Sequence, residues 1–306
     1  MRNVAINMNN IPRRHHWVPQ FYLEYFAVPD SIGTKSPEIW CFQRSGTDKP
    51  EFKTGIRAVA AKNDLYSKIF GDSKDTTLES EFSEVEGLMS QIWETLAYGN
   101  FDFSKSDAYK KGFSLFLGLM LVRHPIQFSD WEKLHKRIVN ILDEVKKESD
   151  KVTLEISGTE LELDFKEYDS YRNQNSTELK NSFLDSAKEN IMRLAEQLLK
   201  KRWSIVHCDK PSLITSDSPI LILNDKNKGI NRPDTKIIFP ISPYRAFIID
   251  DLIDKPHWQY YPISESNAHE LNYLQWVSSD IKFMFSPRSI PDVLTEILKV
   301  VDRNSV

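Results

Sequence analysis

The spacing of hydrophobic residues in this chain changes most sharply near residue 202, and that change limits the folds open to it. Upstream they recur at three- and four-residue steps. Leu78, Phe82, Val85, Met89, Ile92, Trp93 and Leu96 form one stripe; Leu179, Phe183, Ala187, Ile191, Leu194 and Leu198 form another. Stripes of this period suit amphipathic helices that bury one face. Downstream, WSIVHC, SLITS, PILIL, KIIFPIS and AFIID are short, β-branched and separated by turn residues, as strands are. Helices grouped ahead of strands, without regular alternation, predict an α+β fold.

The remaining segments fill in that architecture. The spacing predicts a helix from Ser104 to Arg123, with Asp107 in a capping-box position and Pro125 as its stop. A further helix is expected to open at the pair Ser129 and Glu132, and a hairpin over 152–165 to turn at Ser157-Gly158. Helices near 264–277 and 292–301 flank a last strand, KFMFS. Pro12, Pro19, Pro29, Pro37 and Pro50 punctuate the first seventy residues, so loops are expected there, with short strands at Glu38–Phe42 and Leu65–Ile69. The expectation is a helical layer, about residues 76–148 and 177–202, packed on a mainly C-terminal small β-sheet behind a loop-rich N-terminus. It is read as one domain, 1–306, with a weak hinge near 150–177.

With 306 residues, 40% hydrophobic and 27% charged, the chain can bury a sizeable core and is not of disordered composition. A net charge of −4 gives no general attraction to nucleic acid or anionic membrane, leaving only a local basic patch for such contacts. Cys41 and Cys208, both among apolar strand-like neighbours, read as buried thiols. The apolar run from Phe113 to Val122 is too short to span a bilayer, and MRNVAINMNNIPRRHH lacks the apolar stretch of a secretory signal. A cytoplasmic location is therefore expected, with no membrane partner. Gly-rich phosphate loops, dinucleotide fingerprints, paired CxxC, HExxH and GxSxG are all absent.

Several polar residues stand out against this background. Arg13-Arg14-His15-His16 could supply a general base, a metal ligand or phosphate contacts, but spacing alone favours a loop anchored by Trp17, Phe21 and Leu23. On the first long helix, at roughly 100° per residue, Glu79 and Glu86 fall within about 20° of each other. They lie about 10 Å apart along the axis, too far to grip one ion without a third element. Thr76-Thr77-Leu78-Glu79 reads as a capping box, which gives Glu79 a structural task and ranks Glu86 above it. Arg123, in a last turn, is explained by the helix dipole. In Ile214-Thr215-Ser216-Asp217-Ser218-Pro219, turn chemistry and a carboxylate offered to a cleft stand level. Asn267 and Asn272 each suit a buried hydrogen-bonding role, and capping accounts for Asn267.

Read together, RRHHWVPQFYL, NDLYS, LESEFSEVE, LVRHP, ITSDSPI, FPISP and ELN resemble a bacterial family known as domain of unknown function 4238. The His-x-Val-Pro-x-x-Tyr-Leu run and the Thr-Ser-Asp-x-Pro turn are its most specific parts, and Ser218 stands where the family's turn has asparagine. The resemblance implies one set around a shared cleft: His16 ahead of His15, then Gln20, Tyr22, Glu79, Glu86, Arg123, Ser216, Asp217, Pro219 and Asn272. It brings no activity with it.

Three roles follow for that set. The first is a hydrolytic phosphodiesterase, a nuclease-like effector acting on nucleic acid in bacterial anti-phage defence. His16 would be base or metal ligand, Glu86 and Asp217 ligands of a divalent metal with Glu79 beside them, and Arg123 a clamp on phosphate. The second is a non-catalytic module that senses a small anionic ligand or binds a protein partner. Arg123, His16 and Asn272 would be its contacts, supported by Gln20, Tyr22 and Ser216. In the third, the set is a buried network that docks the N-terminal segment.

Overall fold

The computed structural model describes residues 13–44, 50–102, 106–146, 151–156, 159–164, 168–224, 229–278, 281–290 and 292–295. In chain order, the N-terminal part holds β1 (Arg14–His16), α1 (Gln20–Glu24), β2 (Glu38–Gln43), β3 (Glu51–Gly55), β4 (Ala61–Asn63), β5 (Lys68–Phe70) and β6 (Ser73–Asp75). The helical part follows with α2 (Thr77–Tyr98), α3 (Ser106–Arg123), α4 (Pro125–Lys146), the hairpin β7 (Lys151–Ile156) and β8 (Thr159–Asp164), α5 (Tyr168–Arg172) and α6 (Ser176–Leu199). The C-terminal part holds β9 (Arg202–His207), β10 (Thr215–Ser216), β11 (Leu221–Leu223), β12 (Lys236–Ser242), β13 (Arg245–Asp250), β14 (Tyr260–Pro262), α7 (Glu265–Val277) and β15 (Phe283–Ser286). This is the mixed α+β arrangement expected from the change of period. No helix among the described residues is long and apolar enough to cross a membrane.

The main sheet runs β11-β12-β13-β9-β14, antiparallel except for the β14–β9 pair. Period-2 alternation divides its side chains between two cores. Ile237, Phe239 and Ile241, with Phe247, Ile249, Trp203 and Ile205, face a core shared with Trp93 of α2 and with Phe113, Phe116 and Met120 of α3. Ile238, Ala246 and Val206 face the other way, toward Ala268 of α7 and Met284 of β15. The result is three layers: helices, the main sheet, and α7 with a second sheet. That second sheet has order β10-β15-β2-β3, so the N-terminal segment pairs directly with the C-terminal one. Pro240 sits inside the central strand β12, where a missing N–H is normally excluded. The register shifts between Pro240 and Ser242, and the freed Pro240 carbonyl accepts the Tyr22 hydroxyl at 2.9 Å.

The structure departs from the sequence expectations at a few junctions, each with a local cause. α3 ends at Arg123 ahead of Pro125, as expected, but Pro125 also opens α4 directly; a first-turn position has no intrahelical partner for an N–H, so proline costs nothing there. Ser129 is consequently an interior residue of α4, not its cap. Over 65–69, Leu65 and Tyr66 lie in a turn led by the left-handed Asp64 (φ 53°), and the strand begins only at Lys68. Thr76 makes no side-chain cap on α2; Asp75 Oδ1 accepts the Thr77 amide at 2.9 Å instead. Of SLITS, only Thr215 and Ser216 pair as a strand. Ser104, the Ser157-Gly158 turn and residues 296–301 lie outside the described residues.

Helices α3 and α6 approach closest at Gly118, where an added Cβ would stand 2.8 Å from the Ile191 carbonyl oxygen. Glycine is therefore required by backbone approach. Gly118→Ala should lower stability by about 1–3 kcal/mol through overpacking, despite a helix-propensity gain of about 1 kcal/mol. Gly87→Ala, where nothing lies within 4 Å, should raise it. Urea midpoints of the two variants check this; equal gains would show slack between the helices.

Candidate functional site

The site is built around one cation, Arg123, at the end of α3. Its side chain is 1% exposed. The guanidinium donates to Glu86 of α2 and to the main-chain carbonyl of His16. It lies 5.5 Å over the Tyr66 ring and 5.8 Å over the Phe82 ring, and the Tyr66 hydroxyl donates to the Arg123 carbonyl at 2.7 Å. Burial works against the charge, but the Glu86 carboxylate and Tyr66 outweigh it and hold the guanidinium above its ordinary range. A buried guanidinium needs such a complete set of acceptors, because any one left out would leave charge in a low dielectric.

The two histidines are separated by strand alternation. β1 pairs with β4 in the register His15↔Lys62 and His16↔Ala61, which turns His15 inward. Its Nδ1 accepts the Tyr66 amide at 3.0 Å and its ring stacks on Tyr66 at 5.6 Å. Glu79 Oε2 lies 3.8 Å from the same Nδ1, too long for a hydrogen bond, so that contact is electrostatic only. His16 is half-buried. Gln20 Nε2 donates to its Nδ1 at 3.3 Å, and its Nε2–H donates to the Arg57 carbonyl at 3.2 Å, one consistent neutral tautomer. Burial lowers the His16 pKa, with Arg14 and Arg123 adding to the effect and the Arg57 carbonyl and Glu86 opposing it. Glu79 goes the other way: burial raises it to about 7, with Arg123 opposing and Glu86 reinforcing.

The expected residues therefore fall into two groups. His16, Gln20, Glu79, Glu86 and Arg123 come together. Tyr22, Ser216 and Asn272 instead hold backbone and loop in place. Tyr22 Oη bonds Thr215 Oγ1 at 2.6 Å, Ser216 Oγ accepts the Ser218 amide at 3.2 Å, and Asn272 brackets the Ile214 amide and the Ser212 carbonyl at 3.1 and 2.7 Å. Asp217 stands between the groups. Its Oδ1 accepts the amides of Lys282 and Phe283 at 3.1 and 3.2 Å, and burial raises its carboxyl to about 6 against those bonds.

Trp17 joins the two groups. Its indole N–H donates to the Asp217 carbonyl at 2.9 Å, and its main-chain neighbour His16 receives Arg123. A cavity of about 530 Å³ opens beside it. The wall takes Met120 and Leu121 from α3, the α3–α4 junction at His124, the 217–223 segment, and Leu274 with Ser278 at the end of α7. Tyr66, Trp17 and His124 were not singled out by the sequence reading, and His15 was ranked below His16. The motifs NDLYS and LVRHP contain two of them, and their only local signal was a polar or aromatic residue at the edge of an apolar run.

A divalent metal does not fit this arrangement. Among the described residues no three His, Cys, Asp or Glu side chains gather to hold one. Asp217 Oδ1 is taken by two amides, and the Arg123 cation is bound to Glu86 and flanks Glu79. A phosphate clamp by Arg123 is equally disfavoured, since its donors are committed inside the protein.

Fold and site together define an α+β protein whose N-terminal strand–helix segment is keyed into a helical layer by a buried arginine, with a cavity along the seam. The chain belongs to the family described as a protein of unknown function, DUF4238, whose model matches residues 14–289. Comparison with curated proteins and with solved structures found no match.

The raised carboxyls make stability pH-dependent. Glu79 has an ordinary value of 4.5 and a folded value of about 7, so across that window the native state holds a proton that the unfolded chain has lost. Stability should therefore be fullest below pH 4.5 for this group and fall as pH rises through 7. Asp217, shifted from 3.8 to about 6, acts in the same sense lower down. Glu79→Gln should flatten the fall in melting temperature above pH 6 and leave the Asp217 component. A slope identical to that of the unaltered protein would show that Glu79 is ionised in the fold.

Proposed function

We propose that this protein is a non-catalytic module that binds a small molecule in the cavity beside Trp17. The carrying observation is that the two most specific sequence motifs, one through Trp17 and the other through Asp217, Ser218 and Pro219, contribute to the wall of the same 530 Å³ space. That volume lies in the usual range for small-molecule sites of roughly 300–1,000 Å³. Its mixed lining also suits such a site: aliphatic side chains over most of the wall, with His124, Gln127, Ser218 and Ser278 as polar points. Arg123 is engaged by Glu86 and the His16 carbonyl, and the His16 ring by Gln20 and the Arg57 carbonyl, which supports docking over chemistry for that cluster.

A thermal-shift screen with a fragment library tests this reading. Leu121 lines the cavity, and Leu121→Trp should fill it. Hits should raise the melting temperature of the unaltered protein and leave Leu121→Trp unmoved. Hits that shift both equally, or no hits at all, would remove the cavity as a ligand site.

One observation favours the hydrolytic reading as a second role. A half-buried neutral imidazole, His16, sits near Glu86 with the exposed guanidinium side chain of Arg14 close to it. That arginine, not Arg123, would meet phosphate. Incubation of supercoiled DNA and single-stranded RNA with manganese present should then give cleavage that His16→Ala and Glu86→Gln abolish. No cleavage, or cleavage unchanged by His16→Ala, excludes it.

A further inference from the structure

We infer that the cavity beside Trp17 selects an organic cation, an apolar body carrying one protonated amine, and rejects anions of the same shape. This rests on the reading that the cavity binds a ligand, and adds the ligand's chemical class. Among the described residues, the ionisable ones on its wall are His124, Asp130 and Asp217, and neither lysine nor arginine lines it. Two cations close by are engaged elsewhere. Arg123 delivers its charge to Glu86 and the His16 carbonyl. Lys282, whose side chain is exposed, acts on Asp217 from outside the wall. Asp130 pairs with Lys133 at 2.8 Å on the exposed rim. An anion entering here would meet two carboxyl groups and no cation among the described wall residues, and would lose its hydration without replacement.

A cation finds the opposite. Asp217 is 3% exposed and only one of its oxygens is described as accepting backbone amides. Trp17 lines the same cavity, and an aromatic ring beside a carboxyl group is a favourable setting for an ammonium. His124 adds no charge of its own to oppose it in the neutral form: its Nδ1 accepts the Ile126 amide at 3.2 Å, and its ring stands edge-on to Trp17 at 6.2 Å. Met120, Leu121, Leu194 and Ile220 cover the apolar body. An ammonium near Asp217 would also draw its carboxyl toward the ionised form, so binding and ionisation reinforce each other.

Calorimetry with tryptamine, tryptophol and indole-3-acetate tests the inference on the full chain, since the three share one ring and differ in terminal charge. At pH 7.5 tryptamine should bind at least tenfold more tightly than tryptophol, and indole-3-acetate should not bind. Tryptamine's advantage should shrink as pH falls below about 6, where Asp217 takes up a proton. Asp217→Asn should bring tryptamine down to the tryptophol level while tryptophol binding persists, which also reports that the variant is folded. If that variant does not fold, the pH series on the unaltered protein gives the same discrimination. Equal binding of tryptamine and tryptophol, or preference for indole-3-acetate, overturns the inference and leaves the cavity as a ligand site. Absence of binding by all three, with fragment hits that Leu121→Trp abolishes, also overturns it while sparing the cavity; absence of both removes the two together.

Discussion

The buried charge of Arg123 is the constraint on which the N-terminal third depends. A guanidinium taken out of water must recover its hydration from fixed acceptors, and breaking such an arrangement typically costs about 3–5 kcal/mol. The acceptors come from three separate stretches: Glu86 on α2, Tyr66 in the turn after β4, and the His16 carbonyl at the end of β1. The last two lie on segments with little hold of their own. β1 and β4 have three residues apiece and form a two-stranded sheet, which is marginal in isolation. Their position is set by what they deliver to Arg123 and by Trp17, Tyr22 and Leu23, which follow directly into the core. The same charge explains why Glu79 and Glu86 differ. Glu86 bonds the guanidinium and is partly solvated; Glu79 has no hydrogen-bond partner for its buried Oε2 among the described residues and is pushed toward its neutral form.

A second principle governs the Thr-Ser-Asp-Ser-Pro turn. Hydrogen bonds between side chains and main-chain atoms far apart in sequence hold it and the residues just ahead of it. Asn272 and Gln275 of α7 take up the backbone of 212–214, and Asp217 caps the amides that begin β15. Buried backbone that is not in a ladder must find partners, and side-chain amides and carboxylates supply them. The loop is thus converted into part of the core without being a regular strand, which places Asp217 in a wall and not on a surface.

Helices and most C-terminal strands were legible because each depends on a periodic run that fits in one window: the α2 and α6 stripes, and KIIFPIS against AFIID. What was not legible depended on partners far away in the chain. His15 and His16 cannot be ranked from their neighbours, since the inward direction of β1 is fixed by pairing with β4, nearly fifty residues later. Glu79 fits a capping box by spacing, and the structure gives that task to Asp75 because Thr76 has the wrong backbone angles to cap (φ −114°, ψ 14°). Arg123 suits a helix terminus by its position, yet its side chain turns inward, a choice made by Glu86 and Tyr66. Tyr22 and Asn272 were implied as members of a set; their partners lie 193 and 58 residues off. Five of those residues meet around Arg123 and the others lie apart, a division that composition does not mark because structural and ligand-facing polar residues look alike in sequence.

The structural role of this seam and the binding proposed for it are physically continuous. Arg123 holds the His16 carbonyl, the next residue Trp17 donates its indole N–H to the Asp217 carbonyl, and the Asp217 side chain holds the start of β15. Between the charged groups at the two ends of this relay, Arg123 and the Asp217 carboxyl, the link is one neutral hydrogen bond from Trp17, with a net worth of about 1 kcal/mol. A ligand that prefers a displaced Trp17 tenfold supplies about 1.4 kcal/mol toward it, so displacing Trp17 lies within what occupancy of the cavity can drive. The Arg123 end of the relay is much stiffer, because moving it would strand a charge. Ligand-dependent motion would therefore concentrate at Trp17 and the 217–223 segment, with the arginine cluster acting as the fixed point against which they move.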